Sequence, residues 1–367
     1  MRLVLIGDGE SPHLLKWARA LAAVPLELWA VSSRGFAPGF DSCVSKERRL
    51  ALDSSPIHGG GNFGVLLKLP RLGAWLRQVD ADWLHAHYLT SHGTLAWLAK
   101  RFWRLRAGLI GSAWGSDVLV TPLRNPGYRW LTRRVLRACT LTTSDSLHMA
   151  QRMRELGAAE VMTFPFGLDT MPAQATDKQP WLFYANRGLE PLYHPMRVLQ
   201  LFAQVLRQRP QARLAIANRG TLQEAVHAAA LAMGLSVGTL EQGRQVEFTG
   251  LLDAEAQSRW YAMAQWYVSL PQTDSVSVSV LEAMAHGCLP LLSDLPANRE
   301  LVRDADNGLI VPATQQAPPL AALEALLGRA AQVAQANRHW IAAHALFAPA
   351  VARFVDRLRE LNTRSPA

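Results

Sequence analysis

The chain has 367 residues, 49% of them hydrophobic and 18% charged; this composition excludes a disordered chain, and the length predicts two domains of roughly 150–200 residues. No apolar run approaches the ~20 residues of a membrane-spanning helix, and Cys43, Cys139 and Cys288 are too scattered for a disulfide framework or a zinc site. The net charge of +9 is uneven, with 21 Lys and Arg against 13 Asp and Glu in residues 1–170 and 17 against 16 beyond.

In chain order, strand-like and helix-like segments alternate, the pattern of an α/β protein with parallel sheets. Leu3–Ile6 reads as a buried strand rather than a cleaved signal, so the expected location is the cytosol. A helix follows from about His13 to Ala23, then a strand at Leu26–Ser32. The long loop Phe36–Phe63 carries His58-Gly59-Gly60-Gly61-Asn62, read either as a mobile substrate loop or as a plain connector. Next come helix Leu66–Val79, strand Trp83–Ala86, helix Ser91–Arg104, strand Leu109–Ser112, helix Arg129–Ala138 and strand Leu141–Thr143. Helix Met149–Leu156 and strand Val161–Thr163 close the first half.

The polar stretch Thr170–Gln179 reads as a linker. It separates a domain over 1–170 from one over 171–341. The pattern then restarts with strand Trp181–Ala185, helix Met196–Arg207, strand Arg213–Ile216 and helix Thr221–Met233. Strands at Val246–Phe248 and Trp266–Ser269 precede helix Val278–Ala285 and strand Leu289–Ser293. An amphipathic segment, Ala342–Leu361, predicts a terminal helix within 342–367 that folds back onto the first half.

The chemistry concentrates in residues 272–294, QTDSVSVSVLEAMAHGCLPLLSD. Ser277 suits a helix N-cap and Gly287 the position past the helix end. Such a helix directs its free N–H groups and positive dipole end at the space before it, which binds phosphate without a charged side chain. Asp274 precedes this cradle, and Glu282 lies in an otherwise apolar, small-residue helix, where a buried charge is costly unless a partner takes it. Two carboxylates flanking a bound diphosphate, each accepting hydroxyls, fit a nucleotide-sugar.

This segment resembles the E-x7-E signature of retaining glycosyltransferases of family 4, which have the GT-B fold: two Rossmann-like, doubly wound domains facing a cleft. The signature runs from Asp274 to Glu282 and continues into Glu300 and Asn307–Pro312. Phe248-Thr249-Gly250, the segment Phe183–Leu189, Pro165–Asp169, Gly9–His13 and Asp82–Tyr88 extend the resemblance over nearly the whole chain. It implies that Glu282 holds the donor ribose, that amides of Ser275, Val276, Ser277 and Val278 hold the diphosphate, and that Arg187 neutralises the leaving nucleotide. Gly9 and Gly250 are implied in donor binding. It further implies transfer from a UDP- or GDP-sugar to a hydroxyl acceptor, lipid-linked or a polysaccharide precursor, with no cofactor and no obligatory metal.

Three residues depart from the family pattern. Asp274 stands where glutamate is usual. The lysine expected after Arg187 is missing from Glu190–His194, leaving Arg197 or His194 as substitutes. Trp114 replaces the histidine near the anomeric centre, and the nearest polar candidates to rebuild that contact are His87 and Asp117. The departures keep two rivals open: a nucleotide-sugar 2-epimerase, and a non-catalytic nucleotide-binding protein on the same scaffold.

Aromatic and basic residues interleave at 97–106 and 129–137. They read either as a patch for an anionic membrane surface, which would place the protein peripherally at the inner face, or as helices with arginines in water. Nucleic acid is not the expected partner, since no recognised module is present.

Overall fold

The computed structural model describes residues 1–54, 63–175 and 177–363, and the glycine run His58–Asn62 lies outside them. The chain forms two compact units: residues 1–164 together with the segment starting at Phe347, and Pro165–Leu346.

Among the described residues, the first unit is built on seven parallel strands: β1 (Arg2–Gly9), β2 (Glu27–Phe36), β3 (Arg49–Ala51), β4 (Trp83–His87), β5 (Gly108–Ser112), β6 (Leu141–Ser144) and β7 (Val161–Thr163). Their order is β3-β2-β1-β4-β5-β6-β7. Parallel strands are covered by helices on both faces, so they read as apolar runs rather than alternating ones. Val4, Ile6, Val31, Leu84 and Leu109 accordingly join one buried core with Leu72, Leu76 and Ala96 from the helices.

The second unit repeats the design with β8 (Gln179–Ala185), β9 (Arg213–Ala217), β10 (Val246–Gly250), β11 (Ala264–Ser269), β12 (Leu289–Ser293) and β13 (Leu309–Val311), in the order β10-β9-β8-β11-β12-β13. Each face of this sheet has its own core. One gathers Phe183, Leu199, Phe202 and Leu289, the other Tyr184, Tyr267, Leu281 and Met284.

Several helix boundaries differ from the sequence expectation. The helix expected over Leu66–Val79 regularises only at Leu69, because Pro70 is tolerated only in a first turn. The segment expected to be helical from Ser91 begins as a wide turn, Tyr88–Gly93, and becomes an α-helix over Thr94–Trp103. The stretch Thr170–Gln179 lies inside the second unit, and Gln179 already belongs to β8.

The single terminal helix expected within 342–367 is two helices, Ala330–His344 and Phe347–Thr363. The break has a cause in Leu168, whose N–H donates to the Ala345 carbonyl at 2.8 Å and which forms a parallel bridge with Leu346. Gly167 makes this approach feasible: a Cβ there would sit 1.7 Å from the Ala345 oxygen. The last helix is packed in the first unit through Phe347 and Phe354, whose rings stand edge-on to Trp17 at 5.1 and 5.2 Å. Among the described residues, no helix is long and apolar enough to cross a membrane.

Candidate functional site

In a doubly wound sheet, ligands bind beyond the carboxyl ends of the strands, where the strand order reverses. In the second unit that point lies between β8 and β11. β8 ends at Ala185 and leads to Asn186-Arg187-Gly188, and β11 ends at Ser269 and leads to the loop 270–277. Topology therefore brings together residues 87 positions apart: Arg187 Nη2 donates to Asp274 Oδ2 at 2.7 Å. Arg187 Nη1 donates to the Ser277 hydroxyl, and the guanidinium lies over the Tyr193 ring at 4.3 Å. Burial lifts the Asp274 carboxyl above its ordinary range, and the neighbouring guanidinium opposes that shift.

The helix Val278–Ala285 starts where the sequence predicts. Ser277 has N-cap dihedrals (φ −77°, ψ 127°), and its carbonyl accepts from Val280 and Leu281 at 3.1 and 3.2 Å. Its hydroxyl makes no capping bond, because Arg187 takes it instead. The first-turn N–H groups, which have no intrahelical acceptor, thus stand beside a guanidinium. That pairing attracts a diphosphate from two sides. Asp274 braces the loop by accepting from the Ser275 N–H at 3.0 Å, and Ser275 and Val276 are buried.

Glu282, one helical turn further, is held by residues that the signature did not indicate. The Tyr261 hydroxyl donates to Glu282 Oε2 at 3.1 Å and itself accepts from Asn186 Nδ2 at 2.8 Å. Asn186 Oδ1 accepts from the Tyr267 hydroxyl at 2.7 Å. Burial raises both phenols well above their ordinary range, so they remain neutral donors. Asn186 directly precedes Arg187 in the chain, and so links the carboxylate's support to the cation's strand end. The available signal was the polar Asn186 at the end of an otherwise apolar strand.

The remaining candidates of this unit stand apart or are engaged elsewhere. Gly250 closes β10, two strands from β8, in a left-handed conformation (φ 69°), and its carbonyl accepts from Asn218 N at 2.6 Å. Arg197 does not replace the missing lysine. It is buried, and Nη2 donates to the carbonyls of Val311 and Pro312 at 3.0 and 2.5 Å. His194 caps the next helix from a left-handed conformation. Where the lysine is missing, the group touching the guanidinium is the Tyr193 ring.

In the first unit the reversal lies between β1 and β4, which end at Gly9 and His87. A Cβ on Gly9 would meet the Gly35 carbonyl oxygen and the Phe36 ring, each at 2.6 Å. Glycine is therefore required here by strand packing. Asp117 is buried with both oxygens committed: Oδ2 accepts from Leu89 N at 2.8 Å and Oδ1 from Trp114 N at 2.9 Å. It clamps the loops after β4 and β5 together. His87 is buried too, and its Nδ1 accepts from the Trp114 indole N–H at 3.2 Å. That bond places the His87 proton on Nε2, which is buried and has no hydrogen-bond partner among the described residues.

Three buried histidines predict that this unit loses stability in acid. Burial pushes His85 down to about 3 and His92 down to about 4, the latter against a bond to the His87 carbonyl. Burial, aided by the neighbouring imidazoles, also pushes His87 well below its ordinary value. An unfolded histidine takes up its proton near ~6.5, so below that pH the unfolded chain binds more protons than the folded one. This stability is complete above the unfolded value and is lost as pH falls towards the folded ones. We expect urea-unfolding stability to drop by about 1.4 kcal/mol per pH unit per histidine below ~6.5. Equal stability at neutral pH and at about pH 5 would show that these rings are solvated.

Among the described residues, no three His, Cys, Asp or Glu side chains come together as a metal site.

Residues 169–338 match the family described as glycosyl transferases group 1, and residues 2–146 the one described as glycosyl transferase 4-like. Among solved structures, Anabaena HepE in complex with UDP and glucose is similar with a TM-score of 0.75 at 14% identity, covering 98% of this chain and 99% of that one. Sucrose-phosphate synthase from Thermosynechococcus elongatus has a TM-score of 0.74 at 14% identity, with 100% of both chains covered. The apo lipopolysaccharide outer core galactosyltransferase WaaB has 0.63 at 14%, covering 99% of this chain and 98% of that one. No curated protein matches the chain. The fold is thus the GT-B fold of glycosyltransferases. The second half of the chain thus matches the group 1 glycosyl transferases and the first half the 4-like ones, and the chain is a glycosyltransferase.

Proposed function

We propose that this enzyme moves a sugar, with retention at the anomeric carbon, from a nucleoside-diphosphate sugar to a hydroxyl acceptor. The second unit takes the donor and the first the acceptor. The observation that carries this reading is the pairing of the Arg187 guanidinium with an uncapped helix start at the strand-order reversal of the second unit. Those two groups stabilise the departing diphosphate, the charge that grows most in the transition state. Glu282, oriented by Tyr261, accepts the ribose hydroxyls. No protein nucleophile is assigned: the leaving phosphate assists deprotonation of the acceptor on the same face. The base is uracil or guanine. HepE was solved with UDP and with UDP-glucose, which makes UDP the first probe.

The test is a panel of UDP- and GDP-sugars, read by thermal shift and by slow release of nucleoside diphosphate, with the anomer of the liberated sugar followed by NMR. Neither shift nor release with any donor sinks the reading. Recovery of a sugar inverted at C2 without an acceptor identifies an epimerase instead.

The acceptor we assign is lipid-linked or a cell-surface polysaccharide precursor, reached from the inner face of the membrane. Supporting this, residues 118–144 hold five arginines and no acidic residue. The helix Pro126–Ala138 in this segment exposes Arg129, Arg134 and Arg137 beside Trp130, itself 55% exposed, and Leu123 before it is 67% exposed. Arginines beside an exposed indole fit an anionic lipid surface. Co-sedimentation with phosphatidylglycerol vesicles at low salt, reversed at high salt, is the expected result. No binding at low salt removes the assignment.

A further inference from the structure

Arg187 is held from three directions by partners of different kinds. Asp274 and Ser277 take N–H groups at Nη2 and Nη1, and an incoming diphosphate competes for those same groups. The third partner is the Tyr193 ring, whose centroid lies 4.3 Å from the guanidinium carbon. A ring face attracts a cation through its quadrupole. It therefore holds the guanidinium without using an N–H donor and without bringing a charge of its own.

The ring stands on a turn with little freedom. Tyr193 ends the short helical turn Pro191–Tyr193, and its N–H donates to the Glu190 carbonyl at 3.0 Å. Pro191 and Pro195 fix φ on either side of it. The Glu190 carboxylate is fastened to Thr221, accepting from its N–H at 2.9 Å and from its hydroxyl. The same turn reaches the loop 270–277: the Leu192 carbonyl accepts from the Gln272 N–H at 3.0 Å, just ahead of Asp274. One turn thus places a ring on Arg187 and anchors the loop that carries its counter-ion. All of these residues belong to the second unit.

We propose that Tyr193 is a positioning residue for Arg187: its ring keeps the guanidinium at the helix start while the diphosphate draws N–H groups away from Asp274 and Ser277. No other kind of side chain does this as well. A carboxylate or hydroxyl at this place would compete with the diphosphate for the same donors. An ammonium would repel the guanidinium. An aliphatic side chain would fill the space with no attraction for the cation. Because Tyr193 acts through Arg187 on the leaving nucleotide, its effect on turnover rests on the transfer activity proposed above.

The experiment compares Y193L and Y193F with the wild-type full chain, each also in the R187A background, by release of UDP from UDP-glucose. Tyr193→Leu keeps an apolar side chain without a π face, and turnover should fall about 3- to 30-fold, the worth of one partly desolvated cation–π contact, with KM changed less than kcat. Tyr193→Phe restores the ring and should recover most of that loss. In the R187A background Tyr193→Leu should cost nothing further, whereas a residue that only supports the fold costs the same in both backgrounds. The contact is also read without activity. In the chain with isotope-labelled arginine, the Arg187 side-chain NMR signal, identified by its loss in R187A, should move in Y193L and hold its place in Y193F, with and without UDP. A wild type that releases no UDP fails the transfer reading, and the arginine signal then decides by itself whether the ring positions Arg187. The proposal is overturned if the Arg187 signal is the same in all three proteins, if Y193L turns over like the wild type, or if Y193F loses as much as Y193L.

Discussion

Replacing Arg187 by alanine is expected to slow sugar transfer by a factor of about 10²–10³, the usual loss when one preorganised donor to developing charge is removed, while UDP affinity falls far less. The asymmetry follows from when the charge appears. In the bound donor the diphosphate shares its charge with the sugar bond and competes for the guanidinium with Asp274, which holds it at 2.7 Å. As the bond to the sugar breaks, the full charge collects on the nucleotide and the guanidinium gains an interaction that the ground state lacked. The single variant also strands a half-buried carboxylate. Comparing R187A with R187A/D274N separates the two effects, since the double variant carries no orphan charge. Restored melting temperature with turnover still low supports the assignment. Recovered turnover in the double variant would mean that Arg187 serves only to neutralise Asp274. Lysine is expected to rescue poorly, because one ammonium cannot bond Asp274 and Ser277 at once in the fork geometry seen here.

The parts of the molecule that were legible in the sequence are those where local chemistry and tertiary structure agree. The helix Val278–Ala285 was read at both ends because a serine at the N-cap position, an apolar stripe and Gly287 in a left-handed conformation all mark the same boundaries. The alternation of strands and helices gave parallel sheets. Strand order did not follow from it, yet that order is what puts Arg187 against Asp274. What stayed hidden has one physical character: groups defined by a partner far along the chain. Arg197 looked like a substitute cation near the phosphate site, but burial turns its guanidinium to the carbonyls of Val311 and Pro312. The break at Ala345–Leu346 depends on Leu168, and nothing in the amphipathic pattern of 342–361 announces it. Asp117 and His87 were singled out as polar groups near a sugar, whereas their side chains hold Trp114 in place. The Asn186–Tyr261–Tyr267 network joins three segments, and each residue alone reads as ordinary core.

Glu282→Ala is expected to weaken UDP binding by roughly 10- to 100-fold, the worth of hydrogen bonds to a charged group at about 1.5–3 kcal/mol, without loss of fold. Its surroundings decide the second half of that statement. The helix that carries it also contributes Val280, Leu281, Ala283, Met284 and Ala285 to the core, all buried. Alanine is the better helix former, and the carboxylate it removes is half-buried rather than part of the core. The Tyr261 hydroxyl keeps an acceptor when the carboxylate goes, since it also lies 3.3 Å from the Ser279 carbonyl. The melting temperature of E282A without ligand should therefore match or exceed that of the wild type. Tyr261→Phe is the graded companion: the carboxylate remains but loses its orienting bond, so affinity should fall by less than in E282A, with Asn186 left one donor site unused. Titration calorimetry with UDP on the three proteins gives the ranking wild type, Y261F, E282A. An E282A affinity within twofold of the wild type removes Glu282 from the ribose. Equal losses in Y261F and E282A would instead make the tyrosine itself the group that touches the nucleotide.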